Sequence, residues 1–354
     1  MDAQPVFTDR LPALSDLLDA AARIRPHARV TPVLRSDALD ELAGAKLHFK
    51  CENLQRAGAF KFRGACNAVF AMDEATAARG VATQSSGNHG AAIALACRLR
   101  GIPATVVVPE GAPKVKLDAI ASDGARIIRC APNMRARDAA VAEVIAETGA
   151  TLIHPFDHPD VIAGQGTAAM ELLAAQAGLD DIVTPVGGGG LLSGTGIATR
   201  ALSPNTRVWG AEPEAARDAF DSLATGALIT DRVPETICDG LRGHLSPRTF
   251  ALIQRDADGV MLAQENAIRD AMRLVWTHLK LVIEPSSAVA LAVVLGEPAR
   301  FANRRIGIIV SGGNIDAASL PALLAGAIID PHRARGLVHA WCDAFNGWDN
   351  AGVG

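Results

Sequence analysis

The sequence predicts an α/β protein built from parallel-rich sheets flanked by helices. Three observations carry this. From about residue 78, short β-rich runs alternate with helical patterns, the order that parallel sheets with crossover helices require. The runs "TVVV" and "IGIIV" are continuous rather than alternating, as expected of strands covered on both faces. Finally, 354 residues, 49% of them hydrophobic and 20% charged, give enough core for one large domain or two lobes.

The elements follow in order. The strand-like "GVATQ" precedes the helix-like "AAIALACRLR". "ATVVVP" leads to "APKVKLDAIASDG", then "ARIIRC", and "ARDAAVAEVIAETG" leads to "ATLIHP". Later strands are "DIVTPV", "TRVWGAEP" and "RIGIIVSGG", again separated by helical patterns. No internal repeat or long linker interrupts this order. The end of the chain, from about residue 326 to 354, has weaker periodicity and reads as an appendage.

Composition excludes several classes. A net charge of −4 shows no basic surplus, which argues against nucleic acid as a partner. The longest apolar run, "SAVALAVVLG", is too short to span a bilayer. The N-terminus lacks the charged and apolar regions of a secretory signal. Cys51, Cys66, Cys97, Cys130, Cys238 and Cys342 form no CxxC pair. They read as reduced thiols of a cytoplasmic protein. There is no tyrosine, so no phenol can serve as acid or base. The absence of HExxH or a clustered Cys/His set argues against catalytic zinc.

Ligands of open α/β sheets bind outside the carboxyl ends of strands, and three unusual turns fall there. "SSGNHG", Ser85 to Gly90, joins a strand to a helix whose N-terminus favours an anion. It also reads as a tight turn with a Ser or Asn cap. "PVGGGGLLSG" carries Gly187, Gly188, Gly189 and Gly190 between a buried strand and a helix. Four glycines forgo every side-chain contact, which suits a nest of N–H donors around a phosphate. The pattern is neither GxxxxGK[ST] nor a clean GxGxxG. "VSGGN" places Ser311 in the same grammar. Lys61, one of only six lysines, lies between Phe60 and Phe62. A lysine among aromatic rings loses its proton more readily, which suits Schiff-base chemistry; a surface lysine with its stem on the rings is the plainer alternative. Lysine plus phosphate cradle is what pyridoxal phosphate requires.

Together these residues resemble the fold type II pyridoxal-phosphate enzymes, specifically the serine/threonine dehydratase (ammonia-lyase) and serine racemase family. "RVTPVLRS", "GAFKFRGA", "SSGNHG", "GGGGLLSG", "EPSSA" and "SGGN" occur in the family's order over roughly residues 15 to 325. The resemblance implies two lobes: a large cofactor-binding domain of residues 1–68 plus 156–325, and a small domain of residues 69–155 inserted in it. It implies that Lys61 forms the Schiff base and abstracts the Cα proton, and that Phe60 lies against the cofactor ring. Asn88 would bond the ring's 3-oxygen, the four glycines would hold the phosphate, and Ser311 would bond the pyridine nitrogen. A serine cannot keep that nitrogen protonated as an aspartate would, which weakens the electron sink and suits prompt loss of a β-substituent. Ser85, Ser86, Gly87 and His89 would form the substrate-carboxylate loop, with Ser86 also the acid/base on the opposite ring face. Gln165 and Gly166 match a further stretch near the active site. Glu212, the Ala216 carbonyl and Asp218 would bind Mg²⁺, Mn²⁺ or Ca²⁺ through hard oxygen ligands; the plainer reading is a solvated acidic turn.

The implied activity is β-elimination: a β-hydroxy amino acid of the serine/threonine type goes to a 2-oxo acid and ammonia, in a homodimer. A 3-hydroxyaspartate substrate would need a further cation, for which Arg135, Arg242 and His244 are candidates; phenylserine is another possible substrate. "HPFDHP" carries Phe156 where a racemase-like pattern has Asn, which favours dehydration over a serine racemase with side dehydratase activity. A β-replacement synthase of the cysteine synthase type and a non-catalytic cofactor carrier or interaction protein are the remaining readings.

Overall fold

The computed structural model describes residues 11–325; the proposed appendage lies outside them. Among the described residues, ten strands form two sheets: β1 (Val33–Leu34), β2 (Lys46–Cys51), β3 (Val81–Gln84), β4 (Ala104–Pro109), β5 (Arg126–Cys130), β6 (Thr151–Leu152), β7 (Asp181–Pro185), β8 (Arg207–Pro213), β9 (Gly259–Ala263) and β10 (Arg305–Val310). The six-stranded sheet has the order β1-β2-β10-β7-β8-β9, and the four-stranded sheet β5-β4-β3-β6. Every pairing is parallel except the edge pair β1–β2. The continuous runs behave as their sequence predicts: Val106, Val107 and Val108 of β4 and Ile306, Ile308, Ile309 and Val310 of β10 are all buried.

β2 and β9 were not legible as strands. "KLHFKC" looks polar, yet all of β2 after Lys46 is buried. The Lys50 ammonium is accommodated there because it donates to Glu171 at 2.5 Å and to the Thr31 carbonyl at 2.8 Å.

The helix Lys61–Ala71 packs against Pro159–Ala175, which in turn packs against Gly190–Leu202. Both crossings depend on glycine. A methyl group on Gly164 would stand 2.6 Å from the Arg63 carbonyl oxygen, and one on Gly194 would stand 2.6 Å from the Gly166 nitrogen. Gln165 and Gly166 therefore lie mid-helix at this seam. Gln165 is fully buried and accepts the Gly64 N–H at 3.2 Å. The seam fixes where Lys61, the first residue of its helix, sits relative to the glycine turn. Gly164→Ala is expected to destabilise the protein by ~1–3 kcal/mol through overpacking, read as a lowered urea midpoint at unchanged m.

Candidate active site

β3, β7 and β10 deliver their turns to one end of the molecule. β3 runs into Ser85 and the helix Asn88–Arg100; β7 runs into the glycine turn and the helix Gly190–Leu202; β10 runs into Ser311. Residues 153–158 follow β6 and pass between these turns.

Lys61 is half-buried, with its Nζ donating to the Pro155 carbonyl at 2.8 Å and lying 5.1 Å from the Phe60 ring centroid. Burial pushes its pKa down to about 8, against the opposing pull of Glu284. The lysine is a far stronger candidate for a base or nucleophile than an exposed ammonium. Phe62, its other aromatic neighbour, is fully buried and packs in the core.

Ser311 is buried, and its Oγ lies 2.9 Å from the Ser287 hydroxyl. Its carbonyl accepts the Phe60 N–H at 2.9 Å, which ties β10 to the lysine segment. Asn88 donates to Glu284 at 2.8 Å and accepts from Asn314 at 2.9 Å. Glu284 is the residue that sequence reasoning missed. It is buried, and desolvation together with Asp239 pushes its pKa up to about 8. "EPSSA" was visible in the chain, but nothing local to it says that this acid faces Asn88. Asn314, from "SGGN", also reaches the Ala57 carbonyl at 2.6 Å.

The glycine turn is tightly enclosed. Gly189 has φ +85°, a left-handed conformation that favours glycine. A side chain on Gly187 would stand 2.9 Å from Leu241, and one on Gly188 would overlap the Phe156 ring. Neighbouring chain thus excludes side chains from the turn, while its N–H groups open a helix.

In the Asn loop, the Gly87 N–H donates to Ser85 Oγ at 3.3 Å, and Ser86 is half-buried. The His89 ring does not face outward. It is buried, with Nε2 3.2 Å from the Ile153 carbonyl, and burial and the Lys61 charge hold its pKa well below the usual range. His89 therefore fastens the loop to residues 153–158. His154 is held neutral by burial, at about 4.

The carboxylate pair follows β8. Glu212 is buried and accepts the Ala219 and Phe220 N–H groups, both at 2.9 Å. Burial pushes Glu212 up to about 8 and Asp218 up to about 6. Asp218 Oδ2 is buried without a hydrogen-bond partner. Arg217 turns to Asp221 at 3.1 Å instead. Among the described residues, no group of three His, Cys, Asp or Glu side chains is placed to hold a metal; here the third donor would be the Ala216 carbonyl. Of the cations considered for a second carboxylate, Arg135 is exposed and Arg242 is exposed with one nitrogen on the Thr236 carbonyl at 2.7 Å. His244 acts electrostatically on Asp218. Lys116, not considered at first, crosses from the helix Lys114–Ser122 to pair with Asp239, whose backbone neighbours abut the glycine turn.

A desolvated lysine, a tightly enclosed glycine turn that opens a helix and two polar side chains, Asn88 and Ser311, lie at this site. They fit a phosphate-bearing aromatic aldehyde. Residues 24–312 match the family described as pyridoxal-phosphate dependent enzyme. The chain is similar to a beta-hydroxyaspartate dehydratase of Paracoccus denitrificans, 49% identical over 88% of this chain and 99% of that protein. It is similar to an L-threo-3-hydroxyaspartate ammonia-lyase of Saccharomyces cerevisiae, 43% identical over 89% of this chain and 97% of that protein. Among solved structures it resembles serine racemase from Dictyostelium discoideum, with a TM-score of 0.83 and 47% identity over 86% of this chain and 99% of the other.

Proposed function

The chain belongs to the pyridoxal-phosphate dependent enzymes of fold type II, and from that premise we propose that it dehydrates a β-hydroxy amino acid to a 2-oxo acid and ammonia, with 3-hydroxyaspartate preferred over serine and threonine. The observation that carries the reaction is Lys61: desolvated and held on the Pro155 carbonyl, one residue before the Phe156 ring that abuts the glycine turn. The substrate preference is supported by the hydroxyaspartate-specific names of two relatives. Lys116 is a cation at the lobe junction that a second carboxylate could draw from Asp239.

When bound, pyridoxal phosphate supplies the electron sink that acidifies Cα and a phosphate acid near the leaving group. Phe60, Asn88, Ser311 and the N–H groups from Gly187 to Gly190 are the residues that would hold it. Ser85, Ser86 and the N-terminal amides of the helix Asn88–Arg100 receive the α-carboxylate. Lys61 Nζ takes the Cα proton. The Cβ–oxygen bond breaks as Cα=Cβ forms, and the hydroxyl leaves as water. The released enamine tautomerises and is hydrolysed to the 2-oxo acid and ammonia. The lobes, residues 69–155 against residues 1–68 plus 156–325, close over the site and exclude water.

The same reading includes a divalent cation on Glu212, the Ala216 carbonyl and Asp218. Its support is two buried carboxyls, both pushed up by burial, with the Asp218 charge raising Glu212 further, and the Asp218 Oδ2 that lacks a hydrogen-bond partner. The five cysteines among the described residues are all free, which supports a reducing, cytoplasmic setting; a homodimer is part of the same reading. Racemisation is the second reading, favoured by the likeness to serine racemase and by Ser86 as a second acid/base.

The test is 2-oxo acid release from both serine enantiomers, the threonine diastereomers, the 3-hydroxyaspartates and phenylserine, with and without a chelator. A 3-hydroxyaspartate should give the highest kcat/KM. Chelation should lower activity and thermal stability in the wild type but not in Glu212→Gln. A coloured protein inert towards every substrate would sink the dehydratase. Activity with sulfide and an activated serine alone would make it a β-replacement synthase.

A further inference from the structure

We propose that Asp239 determines substrate specificity as a built-in stand-in for a second substrate carboxylate. It holds the Lys116 ammonium until a dicarboxylic amino acid takes that cation over. This rests on the dehydratase reading and deepens it. Lys116 stands on the helix Lys114–Ser122, which follows β4 of the four-stranded sheet. Asp239 lies on the chain between β8 and β9 of the six-stranded sheet. Their ion pair links the parts of the molecule built on the two sheets. Both ends are registered on the candidate site. Ile120 lies one helical turn beyond Lys116 on the same face, and a Cβ on Gly90, in the helix that the Asn loop opens, would stand 3.2 Å from its Cδ1. The turn Asp239–Leu241 is fixed from two sides. The Gly240 N–H donates to Ser286 Oγ at 3.1 Å, and a Cβ on Gly187 would stand 2.9 Å from the Leu241 Cα. The charges of Asp239 and Lys116 also reach the buried Glu284, on which Asn88 donates at 2.8 Å, and act on it in opposite directions.

The pair is partly exposed, 29% at Lys116 and 40% at Asp239, and an ion pair of that kind contributes little. Exchange is therefore cheap. An ammonium carries three donors, so an arriving carboxylate meets a cation already in position. A substrate with one carboxylate leaves Lys116 on Asp239. A substrate with two trades Asp239 for its own second carboxylate, in a site from which it displaces water and where a charge-assisted bond is stronger. Asp239 is thus a competitor for the cation, and Lys116 is the group competed for. Removing the competitor and removing the cation then have opposite effects on dicarboxylate affinity. A pair that served structure alone would give the same direction for both.

The experiment uses the holoenzyme, Asp239→Asn, Lys116→Met and Lys116→Arg. Both enantiomers of aspartate and of alanine are the probes, because neither amino acid carries a β-hydroxyl to lose. Dissociation constants come from the change each causes in the visible absorbance of the bound cofactor. The wild type should bind aspartate more tightly than alanine, and added salt should narrow the gap. Asp239→Asn should tighten aspartate roughly two- to fivefold, the scale of a partly exposed ion pair. Lys116→Met should weaken it about tenfold or more, the loss of a hydrogen bond between charged groups, and Lys116→Arg should keep the preference. Alanine should move by no more than about twofold in any variant. Should Asp239→Asn not fold or retain cofactor, Asp239→Ser carries the same expectations. Equal wild-type affinity for the two amino acids, weaker aspartate binding in Asp239→Asn, or alanine shifted as far as aspartate would overturn the inference, while turnover of serine would leave the dehydratase standing. Wild-type protein with no 2-oxo acid from any β-hydroxy amino acid sinks the function instead, and leaves the aspartate and alanine titrations to decide the role of Asp239.

Discussion

Lys61→Ala is expected to abolish 2-oxo acid release and to remove the visible absorbance of the bound cofactor. Two losses combine. The proton transfer that the proposed reaction assigns to Nζ is worth roughly 10²–10⁴-fold on its own, and covalent capture of the cofactor would disappear with the amine. The loss is chemical rather than structural. Lys61 is the first residue of its helix, and its ammonium donates a hydrogen bond to the Pro155 carbonyl. Alanine is a good helix former, so the urea midpoint should change little. Exogenous primary amines should restore a fraction of turnover, because the binding groups around the gap are intact. Turnover within tenfold of wild type would remove Lys61 from the reaction and the proposed function with it.

Arg63→Met is expected to cost about 3–5 kcal/mol of stability, because it leaves a buried charge uncompensated. Arg63 is fully buried two residues after Lys61. Its Nε and Nη2 donate to Glu52 at 2.7 and 2.8 Å, while Nη1 and Nη2 reach Glu171 at 2.7 and 2.8 Å. Glu52 also accepts the Thr31 hydroxyl, and Glu171 accepts Lys50. Burial alone would raise the Glu171 carboxyl, but Arg63 and Lys50 outweigh it and hold it low. Once Arg63 is gone, Glu52 is buried without its cation. Urea unfolding checks the loss, and Arg63→Met combined with Glu52→Gln should recover part of it. Strict additivity of the two single changes would show that the pair is not coupled.

The turns and the lysine were legible because their signals are local. Gly187 to Gly190, "SSGNHG" and Lys61 each sit where a predicted strand ends or a helix begins, and a few neighbouring residues say so. Lys50 misled for the opposite reason: its partner Glu171 lies 121 residues away, so β2 looked too polar to be buried. Glu284 was hidden likewise, since it meets Asn88 across 196 residues. His89 was assigned by its place in a motif, but its ring direction depends on Ile153. Arg135 was considered for its charge, whereas Lys116, in a helix the sequence does show, pairs with Asp239 across 123 residues that no local pattern links. Periodicity reports which face of an element is apolar. It carries no information on which distant element supplies a counter-charge.

Residues 153–156 touch His89 through the Ile153 carbonyl, Lys61 through the Pro155 carbonyl and the glycine turn through the Phe156 ring. Three separate parts of the machinery thus hang on four consecutive residues. In evolutionary terms they form a single heritable unit. A change that re-aims this backbone alters the lysine, the Asn loop and the anion turn together, so variants here change base strength and reaction preference as correlated traits.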